Sequence, residues 1–201
     1  MANNYVITIA RQFGSLGRLI GKQLAAELNI AYYDRELIEM AAETMGKPVD
    51  AIVEYDDKIT GAFSKMLYPL GLSSSATQKK LFEIQKSIIL DIANKESCVI
   101  VGRCADYILQ DHPNAMHIFI YASYENRLKY CMEDLHIDSD EAKQLMVGVD
   151  KARKLYHKFY TGCEFSGIDG KHLLLDSGQF GKEGSVSLLK EAAKIKFTTL
   201  M

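Results

Sequence analysis

Ile7-Thr8-Ile9-Ala10-Arg11-Gln12-Phe13-Gly14-Ser15-Leu16-Gly17-Arg18-Leu19-Ile20-Gly21-Lys22-Gln23-Leu24-Ala25 decides how this chain reads. It opens with an apolar run, Tyr5 to Ala10, of the kind that makes a buried strand. A turn with two glycines and a serine follows, and then Ile20, Leu24 and Leu28 recur at helical spacing. Strand, glycine turn and helix together aim backbone N–H groups and a helix N-terminus at an anion. Gly14 and Gly17 permit positive φ or close backbone approach. Arg18 stands at the helix entrance, where a cation faces a polyphosphate. Gly14, Ser15, Leu16, Gly17, Arg18 and Leu19 are therefore the expected phosphate-binding residues.

The stretch departs from the usual phosphate loop, G-x-x-x-x-G-K-[ST]. Gln12 stands where the first glycine belongs, Arg18 replaces the lysine, and Leu19 replaces the hydroxyl residue that bonds Mg²⁺. Arginine is always charged and forked, so it holds phosphate oxygens without reproducing a lysine's point charge. Two other readings compete. One is a tight strand-to-helix turn with no ligand. The other is a dinucleotide site, because Asp34 lies where an acidic residue ends the second strand of such a fold. The spacing G-x-x-G-x-x-x-G differs from G-x-G-x-x-G, and Arg18 suits a polyphosphate better.

The chain has 201 residues, room for one domain with a substantial core. Its net charge of −2 gives no overall pull toward nucleic acid or an anionic membrane, so a phosphate site has to be a local cluster of cations. The four cysteines include no C-x-x-C and read as buried thiols. The five histidines form no H-x-x-x-H pair, so no metal site is expected. With no signal peptide and no long apolar run, the expected location is the cytoplasm, with neither membrane nor nucleic acid as partner.

Taken in order, the spacing predicts helices over Leu19–Leu28, Arg35–Met45 and Val49 to about Lys58, with Asn29–Asp34 as a turn and second strand. Periodicity fades from Thr60 to Thr77, which reads as a loop. An amphipathic helix carries Leu81, Ile84, Ile88, Ile89 and Ile92. Cys98–Val101 is a strand covered on both faces, followed by a short helix over Ala105–Gln110. Met116–Tyr121 and His172–Asp176 complete the strands. Helices are expected over Tyr124–Asp134, from Asp138 through Tyr160, and over Glu183–Lys196. This alternation implies a parallel sheet with helices on both faces, and ligands bind beyond the carboxyl ends of its strands. There the sequence places Gly14 to Arg18, Asp34-Arg35 and Gly102-Arg103.

With those residues in view, the chain resembles the cytidylate kinase-like family of P-loop nucleoside monophosphate kinases. The resemblance is carried by Ile7 to Arg18, by Tyr33-Asp34-Arg35-Glu36-Leu37-Ile38, by Val99 to Leu109, and by Asp150-Lys151-Ala152-Arg153-Lys154-Leu155-Tyr156 through Phe159-Tyr160-Thr161-Gly162. It implies an α/β, three-layer P-loop nucleotide kinase fold with a five-stranded parallel sheet in the order 2-3-1-4-5. One domain spans 1–201, with an acceptor-side insertion of about 46–80 and a helical lid of about 124–162. The family's loop usually reads G-S-G-G-R, so Leu16 departs from it. Gly102-Arg103-Cys104 resembles the Gly-Arg-Asp by which true cytidylate kinases read the nucleotide, with the acid lost and Asp106 two residues displaced. Asp150-Lys151-Ala152-Arg153 resembles their lid Asp-x-x-Arg. Their acceptor arginine in the second helix falls on Met40, and Arg35 stands in for it.

The resemblance implies transfer of the γ-phosphoryl group of ATP, with Mg²⁺ accompanying the nucleotide, to a nucleoside monophosphate with CMP first among acceptors. Arg18, Arg127 and Arg153 are then the catalytic cations. Asp34, Arg35, Arg103, Asp106, Asp150 and Arg153 are the substrate-binding residues. The lid is expected to close over the nucleotide. With Cys104 in place of the acid, CMP, UMP and dCMP are expected to be poorly distinguished, and Cys104→Asp to sharpen the choice. Two further classes stay open on the residues: a nucleotide-binding module without turnover, given Leu16, Leu19 and Cys104, and a nicotinamide-dependent oxidoreductase, given the glycine turn and Asp34.

Overall fold

Strand β1, Val6–Arg11, is the middle of a parallel sheet because it is apolar enough to be covered on both faces. Its one interior polar side chain, Thr8, is satisfied by His117 Nδ1 at 2.8 Å from the neighbouring strand. The computed structural model describes residues 4–46 and 76–200. The other strands are β2 (Ala31–Tyr33), β3 (Cys98–Val101), β4 (Ala115–Tyr121) and β5 (Leu173–Asp176). The sheet order is β2-β3-β1-β4-β5, as the resemblance implies. Ile9 pairs with Val101 and Arg11 with Ile120, so the turns after β1, β3 and β4 emerge on one edge.

That order corrects the dinucleotide reading. A dinucleotide-binding sheet of order 3-2-1-4-5-6 sets its second strand beside the first, so the acidic residue reaches a ribose at their crevice. Here β3 lies between β1 and β2, and Asp34 is held by arginines instead.

Helices α1 (Gly17–Leu28) and α7 (Ser177–Lys196) cover one face. Ile20 and Leu24 meet Val186, Leu189 and Phe197 there over Ile7, Ile9 and Ile118. On the other face, α2 (Glu36–Thr44), α3 (Ala76–Lys95) and α4 (Ala105–Ile108) pack Leu37, Ile89, Ile92 and Leu109 against Val6, Cys98 and Ile100. Helix α1 begins two residues before the expected Leu19, since Leu16 itself is the boundary. Helix α7 begins before the expected Glu183. It is two pieces broken at Gly181 (φ 64°, ψ −174°), and only the second piece carries the periodic apolar pattern.

Helices α5 (Tyr124–Glu133) and α6 (Ser139–Thr161) form a separate layer with their own core of Cys131, Ala142, Leu145, Met146 and Val149. Ser123 and Asp138 cap their N-termini through side-chain oxygens. The helical piece Val49–Lys58 and most of the loop Thr60–Thr77 and insertion 46–80 lie outside the described residues. No helix among the described residues is long and apolar enough to cross a membrane.

Candidate active site

The turn after β1 is tied to its surroundings at successive residues. Gln12 N–H donates to Ile120 O at 3.0 Å, and Gln12 Oε1 accepts from Ala122 N–H at 3.2 Å. Phe13 N–H donates to Asp150 Oδ1 at 2.8 Å, and Ser15 Oγ donates to Gln12 O and Ile120 O. Ser177 Oγ, at the start of α7, reaches back to Ser15 O at 2.7 Å. A Cβ on Gly17 would stand 2.7 Å from Arg11 Cβ, so only glycine lets strand and helix approach this closely. Leu16 takes φ 60° at the position where the family's loop carries glycine. No side chain caps α1 and its first turn holds no acid.

A cavity of about 440 Å³ opens over this turn. Five arginines line it: Arg11 from β1, Arg18 from α1, Arg35 before α2, Arg103 after β3 and Arg153 from α6. Among the described residues, Asp34 is the one carboxylate in the lining. Arg18 Nε lies 2.8 Å from Asp34 Oδ2 and Arg11 Nη2 3.7 Å from Asp34 Oδ1, while Arg153 Nη1 donates to Arg11 O at 3.0 Å. Burial pushes the Arg103 guanidinium down to about 10, with Arg11 adding repulsion and Tyr156 and Asp34 opposing it. Burial, with Arg11 next, also pushes Arg153 well below its ordinary value, and burial lowers Arg11 against the pull of Asp34. Guanidinium groups stay charged under such shifts. Arg11, Arg103 and Arg153 are thus desolvated cations, while Arg18 and Arg35 stand exposed at the rim.

The backbone behind Arg103 is unusual. Gly102, Arg103 and Cys104 have φ of 80°, 57° and 54°, a left-handed turn with two successive side-chain-bearing residues. Each non-glycine there costs about 1–2 kcal/mol. Strain of this kind persists where the surroundings over-determine it and concentrates at ligand clamps. The turn carries Arg103 into the cavity and buries Cys104.

Three residues expected at the site stand outside the cavity lining. Arg127 Nη1 donates to Asp150 Oδ2 at 2.6 Å and to Phe13 O at 3.1 Å, so Arg127 and Asp150 are spent on one another and on the turn. Phe13 itself plugs the core between α5 and α6. Asp106 faces the other way, into a buried cluster with Lys171 Nζ and His157 Nε2. Although burial alone would raise it, the neighbouring His157 and the Lys171 charge hold its carboxyl well below the usual range. Arg11, which sequence reasoning had not placed among the site residues, lies beside Asp34. The available signal was its position at the end of an apolar strand, just before the glycine turn. Tyr130 and Leu135 also line the cavity from the lid.

The strand order is that of the P-loop kinase fold. The chain matches the cytidylate kinase-like family over residues 6–179 and belongs to that family. Among solved structures it is similar to an uncharacterized protein from Eubacterium ventriosum, with 27% identity and a TM-score of 0.72 over 95% of this chain and 99% of that one. It also resembles shikimate kinase from Bacteroides thetaiotaomicron, with 16% identity and a TM-score of 0.55 over 94% and 98% of the two chains. Shikimate kinase from Acinetobacter baumannii in complex with shikimate has 11% identity and a TM-score of 0.51 over 98% and 94%. No curated protein matches the chain. Family and fold together support a nucleotide-binding, kinase-type phosphotransferase.

Proposed function

We propose that the protein transfers the γ-phosphoryl group of ATP to a nucleoside monophosphate, with CMP the first acceptor to test. The observation that carries this reading is the set of five arginines gathered at one cavity, beside a single carboxylate among the described residues, which suits a ligand with several negative charges. Phosphoryl transfer passes through a loose transition state with charge on the equatorial oxygens, so placement and cations are most of what a protein supplies. Arg18 and the amides opening α1 hold the donor β and γ phosphates. Arg103 and Arg35 hold the acceptor phosphate. Arg11 and Arg153 sit between them, where the equatorial charge grows. An acceptor phosphate oxygen bonds to the γ phosphorus as its bond to ADP breaks, giving ADP and a nucleoside diphosphate.

Mg²⁺ belongs to the nucleotide in this scheme. Leu19 offers it no hydroxyl, and the described residues hold no cluster of His, Cys, Asp and Glu fit for a metal. Phosphates and water supply its ligands. Asp150 and Arg127 act by shaping the turn rather than by touching substrate. With Phe13 plugged between the lid helices, lid closure carries the turn along or breaks that core.

ADP release with Mg-ATP and each of CMP, UMP, dCMP and, as a control acceptor, shikimate tests the proposal. CMP-dependent ADP release with weak discrimination from UMP and dCMP is expected. ATP binding without turnover on any acceptor would leave a nucleotide-binding module, a reading favoured by Leu19 and by the Arg18–Asp34 pair.

A further inference from the structure

Beyond Arg103 lies an aromatic cluster that the phosphate chemistry does not use. Helix α3 presents Phe82 and, one turn on, Gln85. The Phe82 ring stacks on Tyr160 of α6, centroids 4.0 Å apart and planes 11° apart, and stands edge-on to Tyr156. Cys104, next to Arg103, packs in the same cluster.

Gln85 is 1% exposed, and its Oε1 accepts from the Tyr156 hydroxyl at 3.4 Å. The phenol donates its proton to the Gln85 carbonyl oxygen, and the Arg103 guanidinium stands near the same phenol. Gln85 Nε2 is left buried with no hydrogen-bond partner. A buried amide donor normally finds one, and leaving it unmet is destabilising. Arg103 joins this amide to the cavity through a single tyrosine.

We propose that Gln85 determines acceptor specificity: its unpartnered amide N–H donates to an accepting atom on the edge of a flat ring held against the Phe82–Tyr156–Tyr160 aromatics, while Arg103 takes that acceptor's phosphate. The proposal rests on the kinase reading and deepens it. The acceptor class is a phosphate ester carrying a planar heterocycle with a hydrogen-bond acceptor at its edge, as in a pyrimidine nucleoside monophosphate. Tyr160 is half-buried and forms the outer leaf of the stack on Phe82. A ligand ring reaches Gln85 by taking Tyr160's place there. A ring-less sugar phosphate engages Arg103 and leaves Nε2 unmet.

Titration calorimetry on the full chain, with a non-hydrolysable ATP analogue present, compares CMP, UMP and a ribose phosphate without a base. The variants are Gln85→Leu and the double variant Gln85→Leu/Tyr156→Phe, which removes both partners of the Tyr156–Gln85 bond and guards against a folding failure of the first. Gln85→Leu is expected to weaken CMP and UMP by about tenfold or more while the ribose phosphate is unchanged. The double variant is expected to melt no lower than wild type. Equal loss for CMP and the ribose phosphate would mean that Gln85 acts only through Arg103 and would overturn the proposal. Unchanged CMP binding in Gln85→Leu, or a wild type binding CMP no better than the ribose phosphate, would overturn it and leave the kinase reading intact. A wild type that binds no phosphate acceptor beside the ATP analogue would overturn both.

Discussion

The turn after β1 is bonded at Gln12, Phe13 and Ser15 and anchored in the lid's core by Phe13. The turn after β3 has two successive side-chain-bearing residues in the left-handed region and sends a desolvated guanidinium into a cavity already rich in cations. The donor turn keeps its shape by satisfied bonds, with strain at Leu16 alone. The acceptor turn keeps its shape against its own backbone preference. Satisfied bonds therefore set the donor turn, and backbone strain marks the acceptor turn.

The largest expected effect breaks the donor turn. Asp150→Ala removes the acceptor of Phe13 N–H and leaves Arg127 buried without its partner. Breaking one half of a buried pair costs about 3–5 kcal/mol, read as a fall in the urea midpoint at constant m. Arg127→Ala combined with Asp150→Ala is expected to recover part of that loss. A change under about 1 kcal/mol would put the pair in the class of surface ion pairs and remove the basis for a rigid donor turn.

Next comes the acceptor turn, where the effect falls on turnover rather than on stability. Arg103→Ala is expected to lower kcat/KM by about 100-fold or more, as loss of a transition-state cation does. The unliganded variant is expected to keep its fold. A clear drop in melting temperature with unchanged turnover would make Arg103 a structural residue and erase the contrast. Arg18→Ala is smaller. Its side chain is 59% exposed and already shares Asp34, so the loss in ATP affinity is expected near the lower end of about 1.5–3 kcal/mol. Calorimetry with ATP measures it, and an unchanged affinity would shift the donor role to Arg11.

Sequence carried the scaffold because periodicity and strand-end residues are local signals. Val6–Arg11, Cys98–Val101 and the α1 stripe of Ile20 and Leu24 follow from apolar pattern alone. The cavity arginines Arg18, Arg35 and Arg103 follow from standing just after strands on one rim. What sequence could not show is how side chains pair across distance. Asp150 and Arg127 are 23 residues apart and Asp106 and Lys171 are 65 apart. Nothing in local spacing says that these acids turn inward to a cation rather than outward to a substrate. The left-handed turn at Arg103 was equally invisible, because arginine and cysteine carry no preference for it.

The smallest expected effect tests whether the donor turn's single strained residue belongs to its function. Leu16→Gly relieves a left-handed side-chain-bearing residue, worth about 1–2 kcal/mol. Against that, glycine loses more freedom on folding, about 0.5–1 kcal/mol. The half-buried leucine also gives up its packing against the core of α1 and β1, about 1 kcal/mol on area grounds. These terms nearly cancel, so unfolding free energy is expected to stay within about 1 kcal/mol of wild type. ATP affinity is the sharper readout. Leu16 lines the cavity, and replacing its side chain by hydrogen opens the loop amides to the phosphates. Affinity is expected to rise by a small factor. A fall in affinity at unchanged stability would show that Leu16 serves binding as it stands, by walling water away from the phosphates, and that the family's glycine is not a better answer in this chain.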